Sequence, residues 1–190
     1  MNNIYVKNLS KSYDGKPVFE NLNMTIHGGG ITCIMAPSGA GKTTLLRILM
    51  GVEEADSGSV QGLENRRLSA VFQEERLCEN MTAQDNIRLV TPALGSQAVV
   101  QEMTRLGLGD CCHQPVSGLS GGMRRRVSIL RALLAEYDVL FLDEPLKGLD
   151  DVRKEQVMTY VREKTVGKTV IFVTHDRAEA AVLADQVIGL

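Results

Sequence analysis

The sequence ITCIMAPSGAGKTT, residues 31–44, decides the fold of this chain. Its first half is a run of apolar residues, typical of a β-strand that is covered on both faces. Its second half matches the phosphate-binding pattern G-x-x-x-x-G-K-[ST] at every defined position except the first, where Ala36 stands for glycine. The methyl group of Ala36 is expected at the start of the turn, furthest from the phosphates. The stretch therefore predicts a strand, a tight phosphate-binding turn and a helix.

Such a turn binds phosphate because its backbone N–H groups converge on the oxygens and the following helix dipole adds about +0.5 charge. Lys42 is expected to reach the β- and γ-phosphates of a nucleotide, and the Thr43 hydroxyl to bind Mg²⁺. The alternative is a glycine-rich turn that merely exposes a lysine. The residues predicted to bind nucleotide here are Ser38, Gly39, Ala40, Gly41, Lys42, Thr43 and Thr44.

A second apolar segment, residues 139–142, ends in the acidic pair Asp143 and Glu144. In a parallel sheet, the carboxyl end of this strand lies beside the phosphate-binding turn. Asp143 is therefore predicted to hold Mg²⁺ directly or through water. Glu144 is predicted to polarise an attacking water molecule.

Composition limits what the chain can be. It has 190 residues, 44% of them hydrophobic, and a formal net charge of −2, which predicts one globular domain over residues 1–190 and excludes a disordered tail. The pI of about 5.9 argues against binding nucleic acid through bulk charge. No apolar run is long enough to span a bilayer, and the amino-terminal residues lack the order of a signal peptide. We therefore expect a cytoplasmic protein without a direct lipid anchor.

The order of segments predicts an α/β fold with a largely parallel sheet. Residues 4–9 and 18–26 alternate in polarity and predict an antiparallel pair, residues 169–173 predict a buried strand, and helical spacing covers residues 41–51, 120–135 and 150–165. No strand pattern occurs from about residue 74 to 119, where Thr82 and Asp85 form a capping box and Ser96 precedes a helical pattern. This predicts a core of residues 1–73 and 120–190 with an inserted α-helical lobe.

Three further motifs carry a family resemblance. LSGGM, residues 119–123, opens a helix, Gln73 follows a short strand, and THD, residues 174–176, follows another strand. With the phosphate-binding turn and the acidic pair, these motifs resemble an ATP-binding cassette (ABC) ATPase in the order of that family, over essentially the whole chain. The L-S-G-G element is far more specific than the lysine-containing turn. The resemblance implies a P-loop NTPase core with a mixed, largely parallel sheet, an antiparallel β subdomain and the helical lobe.

The resemblance also implies roles for residues outside the turn. Tyr13 would stack on adenine, and Gln73 would contact Mg²⁺ and the attacking water. His175 would contact the γ-phosphate. Because a lone subunit leaves one side of that phosphate open to water, two ATP molecules are expected to lie between two cassettes.

The second cassette, a copy of this chain or a homologue, would therefore complete the site. The residues that would reach the γ-phosphate bound on that partner are Ser120, Gly121 and Gly122, and Asp150 would lie at the interface. Met123 replaces the glutamine usual in the signature, and Lys147 stands where a small residue is common. Both departures are expected to slow hydrolysis without abolishing binding.

The implied function is the ATPase subunit of a transporter, docked on transmembrane permease subunits at the inner face of the cell membrane. Residues 60–77 look most like bacterial importer cassettes for nitrate, sulfonate or taurine. The alternatives are a soluble ABC ATPase acting on ribosomes or DNA, and an ATP-dependent regulatory subunit without turnover. The single uninterrupted cassette disfavours the first, and Glu144 disfavours the second. The three arginines at residues 124–126 resemble a nucleic-acid patch, but helical spacing separates them, so no nucleic-acid partner is expected.

Overall fold

The structure, a computed structural model, describes residues 2–190 as alternating strands and helices. The strands are β1 (Ile4–Tyr13), β2 (Lys16–Ile26), β3 (Ile31–Met35), β4 (Ser57–Gln61), β5 (Leu68–Val71), β6 (Val139–Asp143), β7 (Thr169–Thr174) and β8 (Gln186–Gly189). The helices are α1 (Lys42–Leu49), α2 (Ala83–Arg88), α3 (Ser96–Arg105), α4 (Gly121–Leu134), α5 (Asp151–Lys164) and α6 (Arg177–Leu183). The predicted α/β class is confirmed.

The larger sheet has the strand order β5-β6-β7-β3-β8, and all of its pairings are parallel. Met35 is paired with Thr174, and Asp143 with Val173. The carboxyl ends of β3, β6 and β7 therefore lie at one edge of the sheet. This register brings the phosphate-binding turn, the acidic pair and His175 together.

Both faces of this sheet are buried, which explains its continuous apolar strands. Leu140 and Leu142 pack into a cluster with α4 and α5, whereas Val139 and Phe141 pack on the opposite face with α1 and the first strands. Successive side chains of a strand point to opposite faces, so one apolar run fills two cores. The sheet is thereby fixed between two layers.

A separate three-stranded antiparallel sheet has the order β2-β1-β4. The predicted pairing of its first two strands is confirmed, and the tight connection between them is Asp14-Gly15, where both residues have positive φ angles of 49° and 74°. Two such residues are what a type I′ hairpin turn requires. Tyr13 is the last residue of β1, so it lies at the turn end of this hairpin.

The elements between residues 74 and 119 are α2, α3 and two short 3-10 turns, Gly109–Cys111 and Val116–Gly118. The Thr82 hydroxyl accepts a hydrogen bond of 3.0 Å from the Asp85 N–H, as the capping box predicts. Gly95, and not Ser96, is the N-cap of α3. The boundary of a separate helical lobe stays a prediction. Within residues 2–190, no helix is both long and apolar enough to cross a membrane.

Candidate active site

The turn between β3 and α1 adopts a conformation that requires glycine. Gly39 and Gly41 have φ angles of 82° and 86°, and a Cβ atom on Gly41 would lie only 2.3 Å from Val18 Cγ1. Gly41 is the N-cap of α1 and provides no side-chain cap. The first N–H groups of the helix are therefore available to an anion.

Lys42 bends back over this turn. Its side chain is almost fully buried, and Nζ donates hydrogen bonds of 2.7 Å to the Ala36 carbonyl and 2.9 Å to the Pro37 carbonyl. Ala36 contributes only a backbone oxygen, which alanine and glycine share. The departure from the motif at this position therefore leaves the contact with Lys42 intact.

A cavity of about 440 Å³ opens beside the turn. The predicted site residues that line it are Tyr13, Ser38, Gly39, Gly41, Lys42, Thr43, Thr44, Gln73, Glu144 and His175. Ala40 is not among its lining residues, and Asp143 lines an adjoining cavity together with Thr43 and Gln73. The cavity has a volume typical of a small-molecule site.

Asp143 lies at the buried end of β6. Its side chain is 5% exposed, and it accepts a hydrogen bond from the Thr43 hydroxyl. Burial raises the pKa of Asp143, although the hydrogen bond from Thr43 opposes this shift. The hydroxyl, this carboxylate and the Gln73 side chain supply oxygen atoms, which are the ligands that Mg²⁺ prefers. These three residues therefore fit a magnesium ion.

Glu144 is held from both sides. Its Oε1 lies 3.3 Å from His175 Nδ1, and its Oε2 lies 3.5 Å from Lys147 Nζ. The backbone is left-handed at Glu144, with φ of 45°, a conformation that costs free energy in a residue other than glycine. The carboxylate thus faces the cavity with both of its oxygens in polar contacts.

A buried polar network that the motifs did not predict anchors the chain around His175. The Thr174 hydroxyl donates a 2.6 Å hydrogen bond to Glu179 Oε2, and Lys154 Nζ lies 3.1 Å from Glu179 Oε1. The hydrogen bond to Glu179 raises the pKa of Lys154. Asp176 caps α6 by accepting from the Ala178 N–H at 2.8 Å. Among the residues of this network, Asp176 is the one that the sequence could have indicated, because aspartate is a favoured N-cap residue and a helical pattern follows it.

This arrangement agrees with comparisons with known proteins. A profile of the ABC transporter family matches residues 19–147. The chain belongs to the ABC transporter family. The spermidine/putrescine import ATP-binding protein PotA of Pasteurella multocida is 34% identical over 98% of this chain. The sulfate/thiosulfate import ATP-binding protein CysA of Thermosynechococcus vestitus is 36% identical over 97% of it. The chain spans 55% of the PotA relative and 60% of the CysA relative.

Solved structures agree with this ABC assignment. The dimeric structure of MJ0796, described as a bacterial ABC transporter cassette, has a TM-score of 0.85 at 27% identity, covering 98% of this chain and 94% of that one. A second MJ0796 structure, a dimeric post-hydrolysis state bound to ADP and Pi, has a TM-score of 0.87 at 26% identity. The predicted ABC cassette fold is therefore confirmed.

The signature residues of this ABC cassette lie outside the cavity that Lys42 lines. Ser120 is the N-cap of α4, and its hydroxyl accepts a 3.3 Å hydrogen bond from the Met123 N–H. A Cβ atom on Gly122 would lie 3.5 Å from Leu149 Cδ2, so the signature turn lies beside the segment that leads to Asp150. Asp150 caps α5 through the Arg153 N–H at 2.9 Å. The roles of these residues on a partner's nucleotide stay predictions.

The arginines of α4 do not form an exposed basic patch. Arg125 is 3% exposed and Arg126 is 7% exposed. Their guanidinium groups donate to backbone carbonyls, Arg126 to those of Leu106 and Gly107 among others. Helical spacing correctly indicated that neighbouring arginines diverge, but it did not indicate that two of them are buried.

Proposed function

We propose that this chain binds and hydrolyses ATP as the ATPase subunit of a transporter. The observation that carries the proposal is the convergence of Lys42, Thr43, Gln73, Glu144 and His175 on one cavity. Phosphoryl transfer depends mainly on positioning and on charge stabilisation, and these residue types supply both.

Each residue in the proposed reaction does a simple chemical job. Lys42 and the N–H groups of the turn bind the phosphate oxygens and stabilise their charge. Glu144 accepts a hydrogen bond from the attacking water and orients it towards the γ-phosphate. His175, whose Nδ1 lies beside this carboxylate, would contact the γ-phosphate. Thr43, Asp143 and Gln73 would hold Mg²⁺, which supplies charge neutralisation on the phosphates when it is bound.

The ATPase is proposed to work as a dimer, with a second copy or a homologous cassette. The cavity of one chain lacks the signature residues, so Ser120 and the two glycines after it would complete the site of the partner. The cassette would dock on transmembrane permease subunits and remain cytoplasmic, on the inner face of the membrane. The names of the PotA and CysA relatives support an importer.

The identity of the transported solute is a separate question from the ATPase activity. The likeness of residues 60–77 to nitrate, sulfonate and taurine importer cassettes stays a prediction, and the relatives described above are polyamine and sulfate/thiosulfate import proteins by name. Because the permease subunits would choose the solute, reconstitution with those subunits is what would identify it. The ribosome- or DNA-directed alternative gains no support from the family comparison.

The test is an assay of the purified chain together with its membrane partner. We expect ATP binding, steady ATP hydrolysis, and co-purification with a membrane-spanning protein. ATP binding without any turnover would instead support a regulatory subunit. Hydrolysis without a membrane partner, but with recovery of ribosomes or DNA, would support the soluble alternative.

Tyr13 provides a test of base recognition. Tyr13→Ala is expected to weaken ATP binding about tenfold, because base–aromatic stacking contributes about 1–3 kcal/mol. Tyr13→Phe should bind as the wild type does, since it keeps the ring and loses only the hydroxyl contact with Glu53. Calorimetric titration with ATP and with inorganic triphosphate is the measurement. If Tyr13→Ala lost affinity equally for ATP and for inorganic triphosphate, this result would contradict adenine stacking.

Lys147 provides a test of the departure from the family pattern. Lys147→Met is expected to raise kcat by up to about fivefold, because its ion pair with Glu144, in which only the lysine is exposed, is taken to be worth up to about 1 kcal/mol. Lys147→Arg keeps the charge and should leave kcat unchanged. Steady-state kinetics measures both variants. A higher KM with a lower kcat in Lys147→Met would show that Lys147 instead contacts the phosphates.

A further inference from the structure

Arg125 occupies an unusual position for a charged side chain. It lies on the buried face of α4 with Ser128, Ile129 and Ala132, which are at most 5% exposed. A buried cation is costly unless its hydrogen bonds are made. Burial accordingly lowers the pKa of Arg125.

The guanidinium of Arg125 satisfies this requirement with backbone carbonyls from two loops. Nη1 donates to the Phe72 carbonyl at 2.5 Å and to the Gln73 carbonyl at 3.2 Å. Nη2 donates to the Asp143 carbonyl at 2.7 Å and to the Glu144 carbonyl at 2.6 Å. Nε donates to the Pro145 carbonyl at 2.9 Å.

These contacts use the full capacity of the side chain, because a guanidinium carries five N–H donors in a rigid plane. One planar group therefore fixes the distance between the loop that follows β5 and the loop that follows β6. These loops carry Gln73 and Glu144. The hydrogen bonds also connect both loops to the helix that begins after Ser120.

The backbone of Glu144 gives a second, independent reason for such a clamp. Its left-handed conformation, with φ of 45°, persists only where the surroundings over-determine it. Arg125 binds the carbonyls of Asp143, Glu144 and Pro145, on both sides of the strained φ angle. The Glu144 N–H is held as well, by the Val173 carbonyl at 3.0 Å.

We infer that Arg125 is a positioning residue for ATP hydrolysis: it holds Gln73 and Glu144 in one fixed geometry and couples that geometry to helix α4. The inference rests on the proposed function for its catalytic part. Arg125 donates to no residue of the phosphate-binding turn, so its loss is expected to lower turnover far more than it weakens nucleotide binding. A planar fork is required, because lysine has no second arm to reach the other loop.

The experiment compares Arg125→Gln with Arg131→Gln. Arg131 is the matched control, because it lies on the same helix and donates to carbonyls of the same loop, those of Glu75 and Arg76, without reaching the loop of Glu144. Arg125→Gln is expected to lower kcat about 10- to 100-fold, since small displacements of catalytic groups cost about that much. Its KM and its affinity for ATP should stay within about threefold of the wild type. Arg131→Gln should lower thermal stability without this loss of kcat.

Arg125→Lys covers the case in which Arg125→Gln does not fold. It keeps the charge, and its kcat should still fall at unchanged ATP affinity; wild-type turnover in this variant would overturn the proposal. So would equal losses of kcat in Arg125→Gln and Arg131→Gln, or parallel losses of kcat and ATP affinity.

A readout without turnover separates this inference from the proposed function. Hydrogen–deuterium exchange of peptides covering residues 140–150 should be faster in the Arg125 variants than in Arg131→Gln, and equal exchange would overturn the clamp. A wild-type chain that binds but does not hydrolyse ATP would refute the proposed ATPase, while the exchange result would still decide the clamp.

Discussion

Glu144→Gln is expected to bind ATP normally, to hydrolyse it about 100- to 1,000-fold more slowly, and to accumulate as an ATP-bound dimer. Glutamine keeps the size of the side chain but cannot polarise water as a carboxylate does. It also removes a negative charge close to the γ-phosphate. Because bound ATP would hold the proposed dimer together, slower hydrolysis should leave it in place.

Size-exclusion chromatography with ATP and a phosphate-release assay measure the two effects. Glu136→Gln is the matched control, since Glu136 is exposed and pairs with Arg67, outside the residues that line the cavity. Glu144→Gln with hydrolysis close to that of the wild type would remove Glu144 from its proposed role. A persistent monomer with ATP bound would contradict the two-cassette arrangement.

Lys42→Ala is expected to weaken ATP binding about 30- to 4,000-fold. Removing one charged partner of a desolvated contact costs about 2–5 kcal/mol, and each 1.4 kcal/mol is about tenfold in affinity. The variant also leaves the Ala36 and Pro37 carbonyls without their ammonium donor, so the empty turn should be less ordered.

Calorimetric titration of ATP into the variant tests this prediction. Lys168→Ala serves as the control, because Lys168 also donates to a backbone carbonyl, that of Tyr137, but does not line the cavity. A melting curve without nucleotide shows whether the variant is folded. Unchanged ATP affinity in a folded Lys42→Ala would overturn the assignment of the phosphate-binding turn.

The features that could be predicted are those that depend on a short stretch of neighbouring residues. The turn before Lys42 follows from its glycines, the buried strand before Asp143 from its apolar run, and the cap at Thr82 from the position of Asp85. In each case the residues that interact are within a few positions of one another. Local sequence is therefore enough to indicate these three features.

The features that were missed depend on which distant groups the fold brings together. In the sequence, Arg125 is one of three adjacent basic residues in a predicted helix. No neighbouring residue indicates that backbone carbonyls of two distant loops surround it. The sequence around Glu179 predicts only an ordinary glutamate in a helix, yet Glu179 is buried and contacts Thr174 and Lys154. The contact between Lys147 and Glu144 was likewise not predicted, although the spacing of three residues along the chain gave a hint.

The position of the signature turn outside the cavity of its own chain has a genetic consequence. If each ATP is enclosed by residues from two copies of this chain, a defect in either copy damages the shared site. A cell that makes the wild-type and the Glu144→Gln chains together would then lose transport in most of its dimers, because most would contain at least one variant copy. Inactivating alleles of this kind should therefore be dominant, whereas alleles that prevent folding should be recessive.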